Sequence, residues 1–283
     1  MIENSTLLKR RTGTRSPTGA PPTLGAYILL PAITAVSAHI IEERTMTDST
    51  AGPAPAKAAL WEDFVDIFFQ PADVFDRRRE GKFGIAMLVL SLTGALLYFL
   101  FMNALGPIND AEIARAQAMS QSPTPEVGAE QMAMMEKFAA VLYVFATPFG
   151  AFLTGLILWV VGKLFGATQS VATAVMIATY SQFPRLIELA TNAVQGILMC
   201  PENITSRYSV SLGAGRFFDA TTTNPILMNV IGQVDLFTIW VTVLLGIGLY
   251  VTAGVTKKSA AIAAGLIWLI GVVPGLFGAL VQG

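Results

Sequence analysis

The residues most able to do chemistry lie inside the third apolar stretch of the chain. Arg185 and Glu188 are three residues apart, so on a helix they share a face and can form an ion pair. At membrane depth each costs roughly 3 kcal/mol without a partner, so both should face a bundle interior. Pro184 removes one backbone hydrogen bond and frees a carbonyl, that of Tyr180. Together with Gln182, these residues predict a kinked, polar spot.

Two interpretations of this polar spot stay open. It is either part of a substrate pathway or gate, because ionisable residues inside a membrane mark such sites, or an internal ion pair that fixes how the helices pack. The residues alone do not favour one over the other.

Other kinds of catalytic chemistry lack their residues. The sequence has one cysteine, Cys200, and one histidine, His39, which leaves no internal disulfide, zinc or haem site, or Ser/His/Asp triad. The glycine pair Gly213 and Gly215 is not followed by the lysine of a phosphate-binding loop. We therefore predict no enzymatic activity, no metal and no cofactor.

The composition indicates a membrane protein. Of 283 residues, 53% are hydrophobic and 13% charged, and that charged share is about half of what soluble domains carry. The mean hydropathy is +0.59. So much apolar surface needs lipid around it. The net charge of −1 creates no field that would attract nucleic acid.

Five apolar stretches are each long enough to cross about 30 Å of hydrocarbon as an α-helix. They cover residues 83–105, 138–161, 171–199, 234–255 and 260–281. The alternating pattern of a membrane barrel is absent, so we predict an all-α integral membrane protein, a bundle of five transmembrane helices. Basic residues before the first span and in the two short turns place the N-terminus in the cytoplasm and the C-terminus outside.

Residues 58–82, before the first span, predict a cytoplasmic amphipathic segment of two short helices that meet at Pro71. It lies on the membrane surface or packs under the bundle. Its basic run is interpreted as a positive-inside flank in preference to a contact with lipid head groups. The residues proposed as a partner or lipid surface are Trp61, Phe64, Phe68, Phe75, Arg77, Arg78 and Arg79.

Residues 1–57 form a leader of different character, predicted to be disordered or not translated. It is interpreted as a signal peptide, as a weak extra span, or as sequence upstream of a true start at Met46. We favour the start at Met46, because a cleaved signal would leave the basic flank of the first span outside.

Several motifs together resemble a known family, the Yip domain proteins (Ypt/Rab-interacting-protein-like membrane proteins), in its bacterial branch. The resemblance covers about residues 60–280, and its most specific part is the Asp-Leu-Phe-Thr-Ile-Trp block of the fourth span. A tight Lys-Lys turn and an alanine-rich last span follow that block. The motif residues are Pro71, Phe75, Tyr180, Pro184, Asp235, Phe237 and Trp240.

The resemblance implies an integral bundle with a cytoplasmic N-terminal region, in the bacterial plasma (inner) membrane. Eukaryotic members interact with Rab-type GTPases and take part in vesicle trafficking. This chain lacks their extended acidic N-terminal domain and their Asp-Leu-Tyr-Gly-Pro element, so GTPase binding is not carried over to it.

Two functional hypotheses follow. The first is a non-enzymatic scaffold or organiser in the lipid bilayer that binds lipids or protein partners, among them a membrane protein or a second copy of the chain. The alternative is a small transporter, channel or lipid translocator that uses the polar, kinked third span.

Overall fold

The computed structural model describes residues 61–119 and 129–282, and its regular elements are helices. The leader of residues 1–57, with the proposed start at Met46, lies outside the described residues. Within them the strand-like pairing is a single bridge between Gly213 and Asp235. The helices are α1 Glu62–Phe69, α2 Pro71–Arg77, α3 Gly84–Met119, α4 Ala129–Leu164, α5 Val171–Ser181, α6 Pro184–Leu198, α7 Pro225–Gly232, α8 Leu236–Ala253 and α9 Lys257–Gln282. The all-helical prediction is confirmed for this part of the chain.

Within the described residues, four helical segments are long and apolar enough to cross a membrane. The third predicted span, residues 171–199, is instead divided between α5 and α6, and neither piece is long enough alone. Pro184 explains the break, because proline is favoured in the first turn of a helix and ends the helix before it. The multi-pass helical architecture is therefore confirmed, and the count of five spans is not. The four segments are Gly84–Ala118, Val141–Leu164, Leu236–Ala253 and Lys257–Leu276.

Helix α5 lies at the centre of the bundle, with nine consecutive residues buried. Glycines on the neighbouring helices allow a close approach to it. A Cβ atom built on Gly155 of α4 would lie 2.5 Å from the Cα of Val175. One built on Gly248 of α8 would lie 2.3 Å from Cγ2 of Ile177. Small residues at these two contacts thus let three helix backbones pack tightly.

Helices α1 and α2 form a short helical hairpin. The chain leaves the helical conformation at Gln70, and Pro71 begins α2. On the inner side, Ile67 and Phe75 are completely buried. The outer side carries an apolar ridge of three side chains spaced four residues apart. Trp61, just before α1, is 66% exposed, and Val65 and Phe69 of α1 are 51% and 78% exposed.

The hairpin packs along α5 and α8 rather than beyond their ends. Near the N-terminal end of α5, the Thr173 hydroxyl donates a hydrogen bond to the Arg79 carbonyl at 3.1 Å. At the hairpin tip, the Phe68 ring lies 5.7 Å from the Trp240 ring. Trp240 precedes Ala253, the last residue of α8, by 13 residues, which is about 20 Å of helix. The predicted surface segment therefore lies beside the bundle.

Helices α3 and α4 are the longest elements, with 36 residues each. At 1.5 Å per residue each measures about 54 Å, well beyond the roughly 30 Å of a hydrocarbon core. The second half of α3 packs against α6, where a Cβ on Gly196 would meet the Ala104 carbonyl oxygen at 2.2 Å. This contact holds α6 against α3.

Candidate functional site

The polar residues predicted in the third span meet the start of the fourth. On α6, Arg185 Nη1 lies 2.6 Å from Glu188 Oε2, as their spacing predicts. Arg185 Nη2 also donates to the Thr238 hydroxyl at 3.1 Å. That hydroxyl donates in turn to Asp235 Oδ2. We call Arg185, Glu188, Asp235 and Thr238 the outer cluster.

Asp235 holds the outer cluster to the backbone of α8. Its Oδ1 accepts hydrogen bonds from the N–H groups of Phe237, at 2.9 Å, and Thr238, at 3.0 Å. A carboxylate at this position accepts hydrogen bonds from backbone N–H groups that have no partner in the first helical turn. Its negative charge is also stabilised by the positive end of the helix dipole. Asp235 thus caps α8 and positions the threonine that binds Arg185.

The outer cluster borders a polar cavity of about 260 Å³. Sequence reasoning missed much of its lining, most of which comes from the loop that joins α6 and α7 and from the end of α7. No pattern in the loop pairs its side chains with α6. The additional lining residues are Asn192, Arg207, Tyr208, Ser211, Gly232 and Gln233.

Tyr208 anchors that loop over the cavity. The guanidinium carbons of Arg115 and Arg207 lie 5.6 and 5.0 Å from the centroid of its ring. A Cβ atom on Gly232 would lie 2.1 Å from Cε1 of the ring. Burial lowers the pKa of the Arg207 guanidinium, but hydrogen bonding to the Tyr208 hydroxyl and the nearby Glu112 raise it on balance. The contact between the Tyr208 ring and α7 therefore requires glycine at position 232.

A second polar cluster lies at the base of the hairpin, nearer the short turns of the bundle. The Asp63 side chain is completely buried, and its two oxygens bind Arg77 at 2.8 Å and Arg78 at 2.5 Å. The Tyr180 hydroxyl lies close to Asp63 and Arg78. We call Asp63, Arg77, Arg78 and Tyr180 the inner cluster. Two arginines thus compensate one buried carboxylate.

The basic run proposed for lipid head groups is largely occupied within the protein. Arg77 also binds Asp66 at 2.6 Å. Burial lowers the pKa of Arg77, but the hydrogen bonds with Asp66 and Asp63 raise it on balance. Arg79 donates to the Val251 carbonyl at 2.6 Å and pairs with Asp76. The arginines therefore attach the hairpin to itself and to α8.

An aromatic layer extends from Tyr180 of the inner cluster to Phe183, two residues before Arg185 of the outer cluster. Phe64 of α1 stacks on Phe183 at 5.2 Å and on Tyr180 at 6.5 Å. Phe68 packs on Trp240, and Phe75 is completely buried. Of the proposed surface aromatics, only Trp61 is exposed.

The Tyr180 carbonyl at the kink finds its hydrogen-bond partner within the same turn. The Tyr180 carbonyl, expected to be free for a distant donor, accepts the Phe183 N–H at 3.2 Å. Gln182 is the C-cap residue that follows α5, and Pro184 is buried at the start of α6. Phe237, of the fourth-span motif, is also buried. In residues 61–119 and 129–282, no group of three or more His, Cys, Asp or Glu residues could hold a metal ion.

Comparisons with known proteins agree with this architecture. A family model described as Yip1 domain matches residues 65–278. The chain is 29% identical over 246 residues to a protein of Bacillus subtilis (strain 168) named "Membrane protein YknW", which covers 84% of this chain and 97% of that protein. No solved structure matches the chain.

Proposed function

We propose that this chain, which belongs to the Yip1 domain family, is a membrane organiser that binds protein or lipid partners without catalysing a reaction. It is a multi-pass helical membrane protein. The observation that carries the proposal is the packed layer between the two polar clusters. Phe64, Tyr180 and Phe183 fill that space, and α5 is buried along nine residues.

The packed layer favours a binding role over a conduit. A transport pathway needs polar groups that follow one another from side to side of the membrane. Here the charged groups of each cluster are paired within it, Arg185 with Glu188 and Asp63 with two arginines. Ion pairs of this kind fix the helix packing, which supports the structural interpretation of the third span.

We further propose that α5 and α6 cross the membrane together as one broken span, which makes five crossings. From Val171 to Leu198 the two helices and the two residues between them comprise 28 residues, about 42 Å at helical rise. Broken helices are tolerated in membranes where protein surrounds the break. The hairpin then enters the inner leaflet beside α8, and its apolar ridge faces lipid or a partner's helix.

The proposed orientation, with the N-terminus in the cytoplasm and the C-terminus outside, can be tested by cysteine labelling. Cys200 is the one cysteine of the sequence; it is exposed and follows α6. We expect a membrane-impermeant maleimide to label it in intact bacterial spheroplasts. The matched variant, Cys200→Ser with Lys258→Cys, should label only after permeabilisation. The reverse pattern would contradict the orientation.

The organiser function can be tested at the apolar ridge. Trp61→Ala removes an exposed aromatic side chain from the hairpin without opening the core. We expect partners that co-purify with the full chain in native nanodiscs to fall at least fivefold in this variant. Phe145→Ala is the matched control, since Phe145 is 69% exposed on α4. Equal partner recovery from wild type and Trp61→Ala would refute this role for the ridge.

The alternative, a transporter or lipid translocator, is favoured by one observation, the polar cavity beside Arg185 and Glu188. Proteoliposomes with the full chain should show no solute flux and no lipid scrambling above protein-free vesicles. Flux that is present in wild type and lost in Arg185→Ala would establish the alternative and overturn the organiser proposal.

A further inference from the structure

The short helix α7 lies beside the last helix of the bundle, and two hydrogen bonds fix its position along that helix. The Asn229 side-chain amide donates to the Val272 carbonyl at 3.1 Å. The indole N–H of Trp268 donates to the carbonyl of Gln233, the residue that follows α7, at 3.2 Å. Trp268 and Val272 belong to the apolar segment Lys257–Leu276, eight and four residues before its end. These contacts therefore lie about 12 and 6 Å inside that segment.

The contact between α7 and α9 is close and buries a polar side chain. Asn229 is only 7% exposed. A Cβ atom built on Gly275 of α9 would overlap its amide group, so glycine at this position lets the two helices approach. Small residues and hydrogen-bonding amides are the usual means by which helices associate inside a membrane. The contact is therefore suited to a position beside α9 in lipid rather than above it in water.

The first backbone N–H groups of α7 have partners within the protein. The helix begins at Pro225, which has no N–H. The Asn224 side-chain oxygen accepts hydrogen bonds from the next two N–H groups, those of Ile226 at 2.9 Å and Leu227 at 3.3 Å. Lipid offers no partners to such groups, so a helix end inside the bilayer must be capped in this way. Residues 220–234 also contain no charged side chain that insertion would have to desolvate.

The exposed face of α7 is apolar. Ile226, Leu227 and Val230 are 40%, 49% and 37% exposed, whereas Met228 is completely buried. The spacings of three and four residues place the exposed side chains on one side of the helix. At the depth given by the contacts with α9, this side of α7 faces the acyl chains of the bilayer.

We propose that α7 is a re-entrant helix inserted in the outer leaflet, and that its face of Ile226, Leu227 and Val230 is a contact surface for lipid acyl chains. The bundle then has a lipid-facing element of non-spanning helix in each leaflet, the hairpin on one side and α7 on the other. The inference requires that α9 crosses the bilayer. It is independent of the partner that the apolar ridge binds.

Fluorescence quenching in liposomes tests the insertion of α7. The purified full chain carries one nitrobenzoxadiazole dye at Leu227→Cys in a Cys200→Ser background, and it is reconstituted in phosphatidylcholine with or without brominated acyl chains. We expect the brominated lipid to quench the dye at least twofold, because bromine acts only on a dye that it contacts. Aqueous iodide should leave the emission nearly unchanged. Val230→Cys, on the same face, should give the same result.

Two matched positions calibrate the quenching. Leu269→Cys replaces a 53% exposed side chain in the apolar segment of α9 and should respond to brominated lipid. Glu202→Cys replaces an exposed charged residue in the loop after α6 and should respond to iodide. Iodide quenching at Leu227→Cys equal to that at Glu202→Cys would place α7 in water and overturn the proposal. Quenching by neither agent would show that a second copy of the chain covers this face, which would overturn it as well.

Discussion

Replacing Asp63 with alanine should destabilise the protein by about 3–5 kcal/mol, the usual result of removing one partner from a buried ion cluster. The Asp63 side chain is completely buried, and Arg77 and Arg78 both bind it. Without the carboxylate, Arg78 loses its ion-pair partner and Arg77 keeps only Asp66. We expect a lower midpoint in denaturant-induced unfolding of the detergent-purified chain, together with poor recovery as a monodisperse species.

Asp76→Ala is the matched control for Asp63→Ala. Asp76 also pairs with an arginine of the same run, Arg79, but its side chain is 64% exposed. Exposed pairs of this kind contribute about 0–1 kcal/mol. Equal effects of the two substitutions would show that the inner cluster does not hold the hairpin against the bundle.

Replacing Gly155 with alanine should destabilise the packing of α4 on α5 by about 1–3 kcal/mol or more. A Cβ atom there would lie 2.5 Å from the Cα and 2.9 Å from the backbone nitrogen of Val175. Backbone atoms cannot move aside as a side chain would, so one helix must shift. Because α5 is buried on all sides, a shift of α4 disturbs its other contacts too. Unfolding in the same detergent assay measures the effect.

Gly150→Ala controls for the change in helix propensity. Gly150 lies on the same helix, and a Cβ atom there meets nothing within 4 Å. Alanine is favoured over glycine in a helix by about 1 kcal/mol, so this variant should be as stable as wild type or more so. If Gly155→Ala were equally tolerated, close backbone contact between α4 and α5 would not contribute to stability.

The membrane-spanning helices were the predictable part of the fold. Long apolar runs leave a strong signal, and Pro184 marked the point where the third run breaks. Spacing alone also predicted the pair of Arg185 and Glu188, because residues three apart meet on any helix.

Contacts between distant segments could not be read in the same way. Asp63 and Arg78 are 15 residues apart, and they meet only because the chain reverses near Gln70. An amphipathic pattern shows which side chains share a face but not what covers that face. The pattern therefore placed Phe64 and Phe75 on a partner surface, whereas one packs in the aromatic layer and the other is completely buried.

The outer cavity illustrates the same limit. Asp235 stood out in the sequence as the first residue of the family-like block of the fourth span, and it caps α8. It is linked to Arg185 through Thr238, which lies 53 positions after Arg185, and Tyr208 comes from the loop that joins α6 and α7. Such a site is assembled by tertiary packing, which only the structure reveals.

The burial of α5 has a consequence for biosynthesis. α5 is enclosed partly by α8, which begins 55 residues after α5 ends at Ser181. At about 5–20 residues per second, a ribosome needs roughly 3–11 s to make that stretch. During this interval the side of α5 that carries Ile177, which packs on Gly248 of α8, lacks its final enclosure. The insertion machinery must therefore shield the incomplete bundle until α8 has been synthesised.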